Sequence, residues 1–97
     1  MSVTVQVAYP RAEGTTFDFD YYLGQHFALV GEHFGPHMEG TMVTRGAEDA
    51  PFHAIATLIF ADDAARSAAL ANSAPVVGDI PNFTNSPAQI QLGEVIG

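Results

Sequence analysis

Tyr22 and His26 stand four residues apart, a spacing that sets a phenol and an imidazole on neighbouring turns of one helix face. Imidazole titrates near neutral pH and moves protons in both directions, and partial burial in a dry cleft tunes it further. Tyr22, one turn earlier, is placed either to donate to a developing oxyanion or to orient the ring. A core histidine bonded to a backbone carbonyl is the plainer account of the same pattern. His53 enters a strand just after Pro51. On the strand face opposite Phe52 and Leu58 it would approach His26 or a bound carbonyl; beside a loop it needs no function. Asn82 and Asn85 lie between Pro81 and Pro87, where side-chain amides orient a small polar ligand or bond their own backbone. Tyr9, closing a strand, reads as a ligand contact at the same mouth or as packing. His26, His33 and His37 invite a metal reading, but Gly35-Pro36 breaks the helix before the third, and catalytic zinc wants three fixed ligands and an open position. No metal is expected.

The chain has no serine elbow, phosphate-cradling glycine loop or dinucleotide fingerprint, and it has no cysteine. Covalent serine or cysteine catalysis and nicotinamide chemistry therefore drop out, and no cofactor is expected. Eleven acids against three arginines, with no lysine, give a net charge of −8, so neither nucleic acid nor an anionic membrane is an expected partner. Apolar runs fall far short of the roughly 20 residues that span a bilayer. The N-terminal MSVTVQVAYP lacks a basic n-region and a small-residue cleavage site, which leads to a cytoplasmic expectation. Ninety-seven residues with 47% apolar and 14% charged composition read as one domain, 1–97, with a real core.

The elements that must position these residues follow from periodicity. Val3, Val5, Val7 and Tyr9 alternate with Thr4, Gln6 and Ala8, the period of a strand that Pro10 ends. Asp18 is suited to cap a helix, with Phe17 packing back on Tyr22 as a hydrophobic staple. The helix should run to about Phe34 and stop at Gly35-Pro36, with Phe19, Leu23, Phe27, Val30 and Phe34 as its apolar stripe. Tyr22, His26, Leu29 and His33 form the adjoining ridge. A second strand fits His37 to Arg45 and a third Phe52 to Ala61. The third strand places Phe52, Ala54, Ala56, Leu58 and Phe60 on one face, and His53, Ile55, Thr57 and Ile59 on the other. Asp62-Asp63 begins a second helix ending near Asn72. A short helical turn follows Pro75, and the last strand spans Ala88 to Ile96.

The order β-α-β-β-α-β is the split pattern of a ferredoxin-like α+β sandwich with an antiparallel sheet. Both helices then cover the same sheet face. Leaving Ile55 and Ile59 wet on the other would forfeit about 1.5–3 kcal/mol per large side chain, so a homodimer with sheets face to face is expected.

Three segments carry a family resemblance: Val7-Ala8-Tyr9-Pro10, Phe17-Asp18-Phe19-Asp20-Tyr21-Tyr22 with His26 after it, and Asp79-Ile80-Pro81-Asn82-Phe83-Thr84-Asn85. In order and spacing over essentially the whole chain, the sequence resembles the EthD family of the dimeric α+β barrel superfamily. It departs in having Phe27-Ala28 where a proline is usual before the Leu29-Val30 pair, and Phe83 where tyrosine is common. The resemblance implies a dimeric α+β barrel and a homodimer, and from the relatives in that superfamily a menu of isomerisation, cyclisation or dehydration. With the residues themselves this leads to the expectation of a small cofactor-independent enzyme of catabolic or polyketide-like metabolism, in which His26 transfers the proton with Tyr22 and His53 assisting, and Tyr9, Asn82, Phe83 and Asn85 meet a small apolar or aromatic ligand. A ligand-binding accessory protein that supports an oxygenase, and a haem-binding monooxygenase-like protein, are the alternatives it leaves open.

Overall fold

A computed structural model describes residues 1–97. The elements are β1 (Val3–Pro10), α1 (Phe19–Tyr21), a π-helical turn (Tyr22–His26), α2 (Phe27–Phe34), a 3-10 turn (Gly35–His37), β2 (Met38–Arg45), β3 (Phe52–Phe60), α3 (Asp63–Leu70), α4 (Ala74–Asp79), a 3-10 turn (Ile80–Asn82) and β4 (Gln89–Glu94). The strands form one sheet in the order β2-β3-β1-β4, every neighbour antiparallel. With its helices this is the expected ferredoxin-like α+β arrangement. No helix is long and apolar enough to cross a membrane.

Helix starts behave as their capping chemistry dictates. The Asp18 carboxylate accepts from the Tyr21 amide at 3.1 Å, and Phe17 meets Tyr22 edge-on at 4.8 Å between centroids, completing the staple. Asp62 likewise accepts from the Ala65 amide at 2.8 Å. Register places Val3 opposite Phe60 and Val5 opposite Leu58, and on that face they pack with Val30, Phe34, Ala69 and Val76 from the helices. Phe60 is wholly buried there. Phe60→Ala should therefore cost about 3–5 kcal/mol, read as a lower urea midpoint at unchanged slope; a loss below about 1 kcal/mol would mean that this core is not the one that holds the fold.

Two local irregularities correct the periodic reading. The first helix is not continuous α: the Phe27 amide reaches back five residues to the Tyr22 carbonyl. In an α-helix a strict four-residue step drifts by about 40°, whereas a π turn takes more residues and drifts the other way. The two offset each other. Tyr22, His26, Val30 and Phe34 all become buried, and Leu23, expected in the stripe, is 60% exposed.

The second is a bulge. Tyr9 pairs with Ala54 and Pro10 with Phe52, so the ladder skips His53. A bulge re-aims side chains. From Ala54 onward the two faces of β3 follow the alternation, but Phe52 joins Gln6, Ala8 and Ile55 around a hollow on the outer face, while His53 stacks on Phe17 at 5.7 Å.

The connection leaving β2 needs glycine at 46, because a Cβ there would overlap the Phe52 carbonyl.

On the outer face, register lines up three rows: Gly93-Thr4-Ile59-Gly40, Gln91-Gln6-Thr57-Met42 and Gln89-Ala8-Ile55-Thr44. None of these residues is charged. The middle row is bonded within itself, Gln91 to Gln6 at 3.4 Å and Gln6 to Thr57 at 3.2 Å.

Candidate functional site

Between the helices and the inner sheet face lies a cavity of about 110 Å³. Val5, Val7 and Leu58 form its sheet wall, with Tyr22, His26 and Val30 opposite. Val77 of α4 and Ile90 of β4 also line it and are 49% and 57% exposed, so the cavity reaches the surface between them. The only polar side chains in its wall belong to Tyr9, Tyr22, His26 and Ser73.

The π turn brings Tyr22 and His26 into register, and their rings stack at 5.6 Å and 15°. Phe83 packs on His26 at 4.5 Å and Tyr9 meets Tyr22 edge-on at 5.7 Å. Four of the residues singled out from the sequence thus form one aromatic cluster. His53 does not join it. The bulge that turns it toward Phe17 also gives its Nε2 a partner, Thr15 Oγ1, at 2.9 Å, and His53 is absent from the cavity wall. Asn85 is also elsewhere: it accepts from the Thr16 amide and donates to the Gly14 carbonyl, tying down the turn in which Gly14 adopts a positive φ of 84°. Asn82 acts one step removed, through a residue that sequence reasoning passed over.

That residue is Asp79, at the end of α4. It is buried, and its Oδ2 lies 3.0 Å from His26 Nδ1. Its Oδ1 accepts from the Tyr21 hydroxyl at 2.7 Å and the Asn82 amide at 2.9 Å. An acid within the apolar run Val76-Val77-Gly78-Asp79-Ile80 was the available signal, since a buried carboxylate requires partners. Burial alone would raise its pKa, but the hydrogen bonds from Asn82, Tyr21 and His26 outweigh that and hold it below the usual carboxylate range. With Asp79 ionised, neutral His26 carries its proton on Nδ1, and Nε2 keeps a free lone pair. Burial lowers the His26 pKa, and Asp79 opposes this only in part. Burial pushes the Tyr9 phenol up to about 12 and also raises Tyr22, with Tyr9 adding to the effect. Both phenols remain donors. No group of three or more His, Asp or Glu is arranged to hold a metal ion.

A stability consequence follows. Because the folded pKa of His26 lies below its ordinary 6.5, its contribution is complete above that value and is lost as pH falls through the folded pKa. His53 is shifted the same way, by burial and then by Arg11, so the difference between wild type and a His26→Gln variant is the readout. Melting temperature should fall less steeply below about pH 6.5 in the variant; parallel curves would mean that folding does not favour neutral His26.

No protein-family model matches the sequence, and no curated protein matches it either. Solved structures do. An EthD-like protein from Ralstonia eutropha JMP134 is 30% identical over 99% of this chain and 93% of its own, with a TM-score of 0.85. An EthD family protein from Bacillus halodurans C-125 is 21% identical, covering 99% of this chain and 100% of its own, at 0.76. SnoaB, a cofactor-independent oxygenase from Streptomyces nogalater, is 15% identical over 99% of this chain and 93% of its own, at 0.67.

Proposed function

The chain belongs to the EthD family, with the fold of the dimeric α+β barrels, and on that premise we propose that it is a small cofactor-independent enzyme of small-molecule metabolism that moves a proton on an apolar carbonyl compound. The observation that carries this reading is the His26–Asp79 pair in the wall of an otherwise apolar cavity. Asp79 holds the proton on Nδ1, so Nε2 is the base. It removes a proton from the carbon beside the carbonyl, the C–H electron pair passes into an enolate, and the resulting imidazolium is stabilised by the Asp79 carboxylate. Returning the proton to the same or a conjugated carbon completes an exchange or an isomerisation. SnoaB is a cofactor-independent oxygenase, which supports side-chain chemistry in this architecture.

The working form is a homodimer in which the outer sheet faces of two copies meet. The uncharged rows across that face support it, because burying them strands no charge and the glutamine ladder keeps its bonds.

The test is hydrogen exchange. Incubated in D2O with a small cyclic ketone, the protein should accelerate loss of the α-proton signals in the NMR spectrum, and His26→Ala should not. Retention of the ketone without exchange would assign an accessory, ligand-holding role instead.

A further inference from the structure

The Tyr22 hydroxyl is fully buried and has no hydrogen-bond partner in the protein. The phenol of Tyr9, whose ring meets Tyr22 edge-on at 5.7 Å between centroids, adds to burial in raising its pKa but makes no hydrogen bond to it. A buried hydroxyl left unpaired is destabilising, so its presence in a cavity wall calls for a reason. Orienting the imidazole is not that reason, since Asp79 does so through Nδ1 while Tyr22 only stacks on the ring face.

The charges narrow what could reach it. There is no lysine, and each arginine is engaged away from the cavity. Arg11 donates to the Ala47, Glu48 and Ala50 carbonyls. Arg66 donates to the Thr4 and Gly93 carbonyls and to Asp63. Arg45 lies over the Phe19 ring at 4.2 Å. An anionic ligand would find no counter-charge. The cavity, about 110 Å³, is somewhat smaller than one of about 150 Å³ that holds benzene. It admits the end of a ligand, with the remainder leaving between Val77 and Ile90.

We propose that Tyr22 is the ligand's hydrogen-bond donor, and that the ligand is an uncharged compound whose enclosed end, about four or five non-hydrogen atoms, carries a single acceptor oxygen, a ketone or aldehyde. This rests on the reading of His26 as the base: the phenol holds the carbonyl oxygen and stabilises the enolate charge as the proton leaves the adjacent carbon.

The experiment compares wild type, Tyr22→Phe and His26→Ala with two probes, carbonyl-labelled cyclopentanone and methylenecyclopentane, which has the same shape without the oxygen. Affinities come from protein amide shifts and the hydrogen bond from the ketone carbon-13 resonance. Tyr22→Phe should weaken the ketone about tenfold, leave the hydrocarbon unchanged, and move the bound carbonyl resonance upfield. Its melting temperature should not fall, because no bond is lost.

Equal effects on both probes, no effect on either (as for a hydroxyl satisfied by a resident water), failure of wild type to bind the ketone, or a marked drop in melting temperature would each overturn the proposal. In His26→Ala the downfield carbonyl resonance should persist. A wild type that gives that resonance and exchanges no proton overturns the role of His26 and leaves the donor standing.

Discussion

Asp79→Asn is expected to slow ketone α-proton exchange almost as much as His26→Ala, by about 10²–10⁴-fold. The substitution changes one atom, and its effect follows from what surrounds it. Tyr21 and Asn82 both donate to Oδ1, so the new amide keeps its carbonyl oxygen on that side. Its NH2 then faces His26 Nδ1, 3.0 Å from the original Oδ2. An N–H aimed at Nδ1 makes that nitrogen the acceptor and moves the imidazole proton to Nε2. The cavity then faces a donor where it had a base. Nitrogen-15 spectra of the ring report the tautomer directly, and should reverse between wild type and variant. The wild-type rate should rise with pH through an inflection below 6.5, as burial favours the neutral ring. An Asp79→Asn protein with wild-type exchange and an unchanged ring spectrum would remove Asp79 from the mechanism.

Thr57→Lys should convert the proposed face-to-face dimer to monomers. Thr57 sits in the middle row of the outer sheet face, between Gln6 and Met42, and two-fold symmetry would bring every substitution into the interface twice. An uncompensated buried charge costs about 3–5 kcal/mol, equivalent to a rise in Kd of roughly 10²–10³-fold or more. The lysine meets water in a single copy, so the variant should remain folded, with a normal far-UV spectrum and half the wild-type mass by light scattering. Glu48→Gln, in the loop between β2 and β3, alters the net charge by the same one unit and should leave the mass unchanged. A wild type that is monomeric at micromolar concentration, or a Thr57→Lys protein that still dimerises, would contradict the face-to-face assembly.

The sequence made the scaffold legible because its signals are local. Alternation in Val3–Tyr9, caps at Asp18 and Asp62, and the stop at Gly35-Pro36 each depend on neighbours within a few residues. The His26 ridge was legible for the same reason. What escaped was non-local or irregular. Nothing in Tyr22–His26 announces an extra residue in the turn, so a regular 100° step placed Leu23 inside when it lies outside. By the alternation of its own strand His53 belongs on the outer face, and it is displaced only by the bulge at which Tyr9 pairs with Ala54 and Pro10 with Phe52. Asp79 lies 53 positions from the imidazole it orients, and only the closed fold brings them together.

The π turn sets backbone regularity against the shape of the pocket. Removing one residue there, Gly24 for instance, would let the amide ladder heal into ordinary α with Tyr22 seven residues from Val30, about 700° or 20° short of two full turns, so the two would stay on one face. Regular α at the present length would instead put about 800° between them and carry Tyr22 some 80° off that face. Exposed Gly24 and Gln25 can therefore be exchanged for other side chains so long as the wide turn survives, and it is a substitution that enforces regular α at unchanged length that would take the phenol from its place over the imidazole.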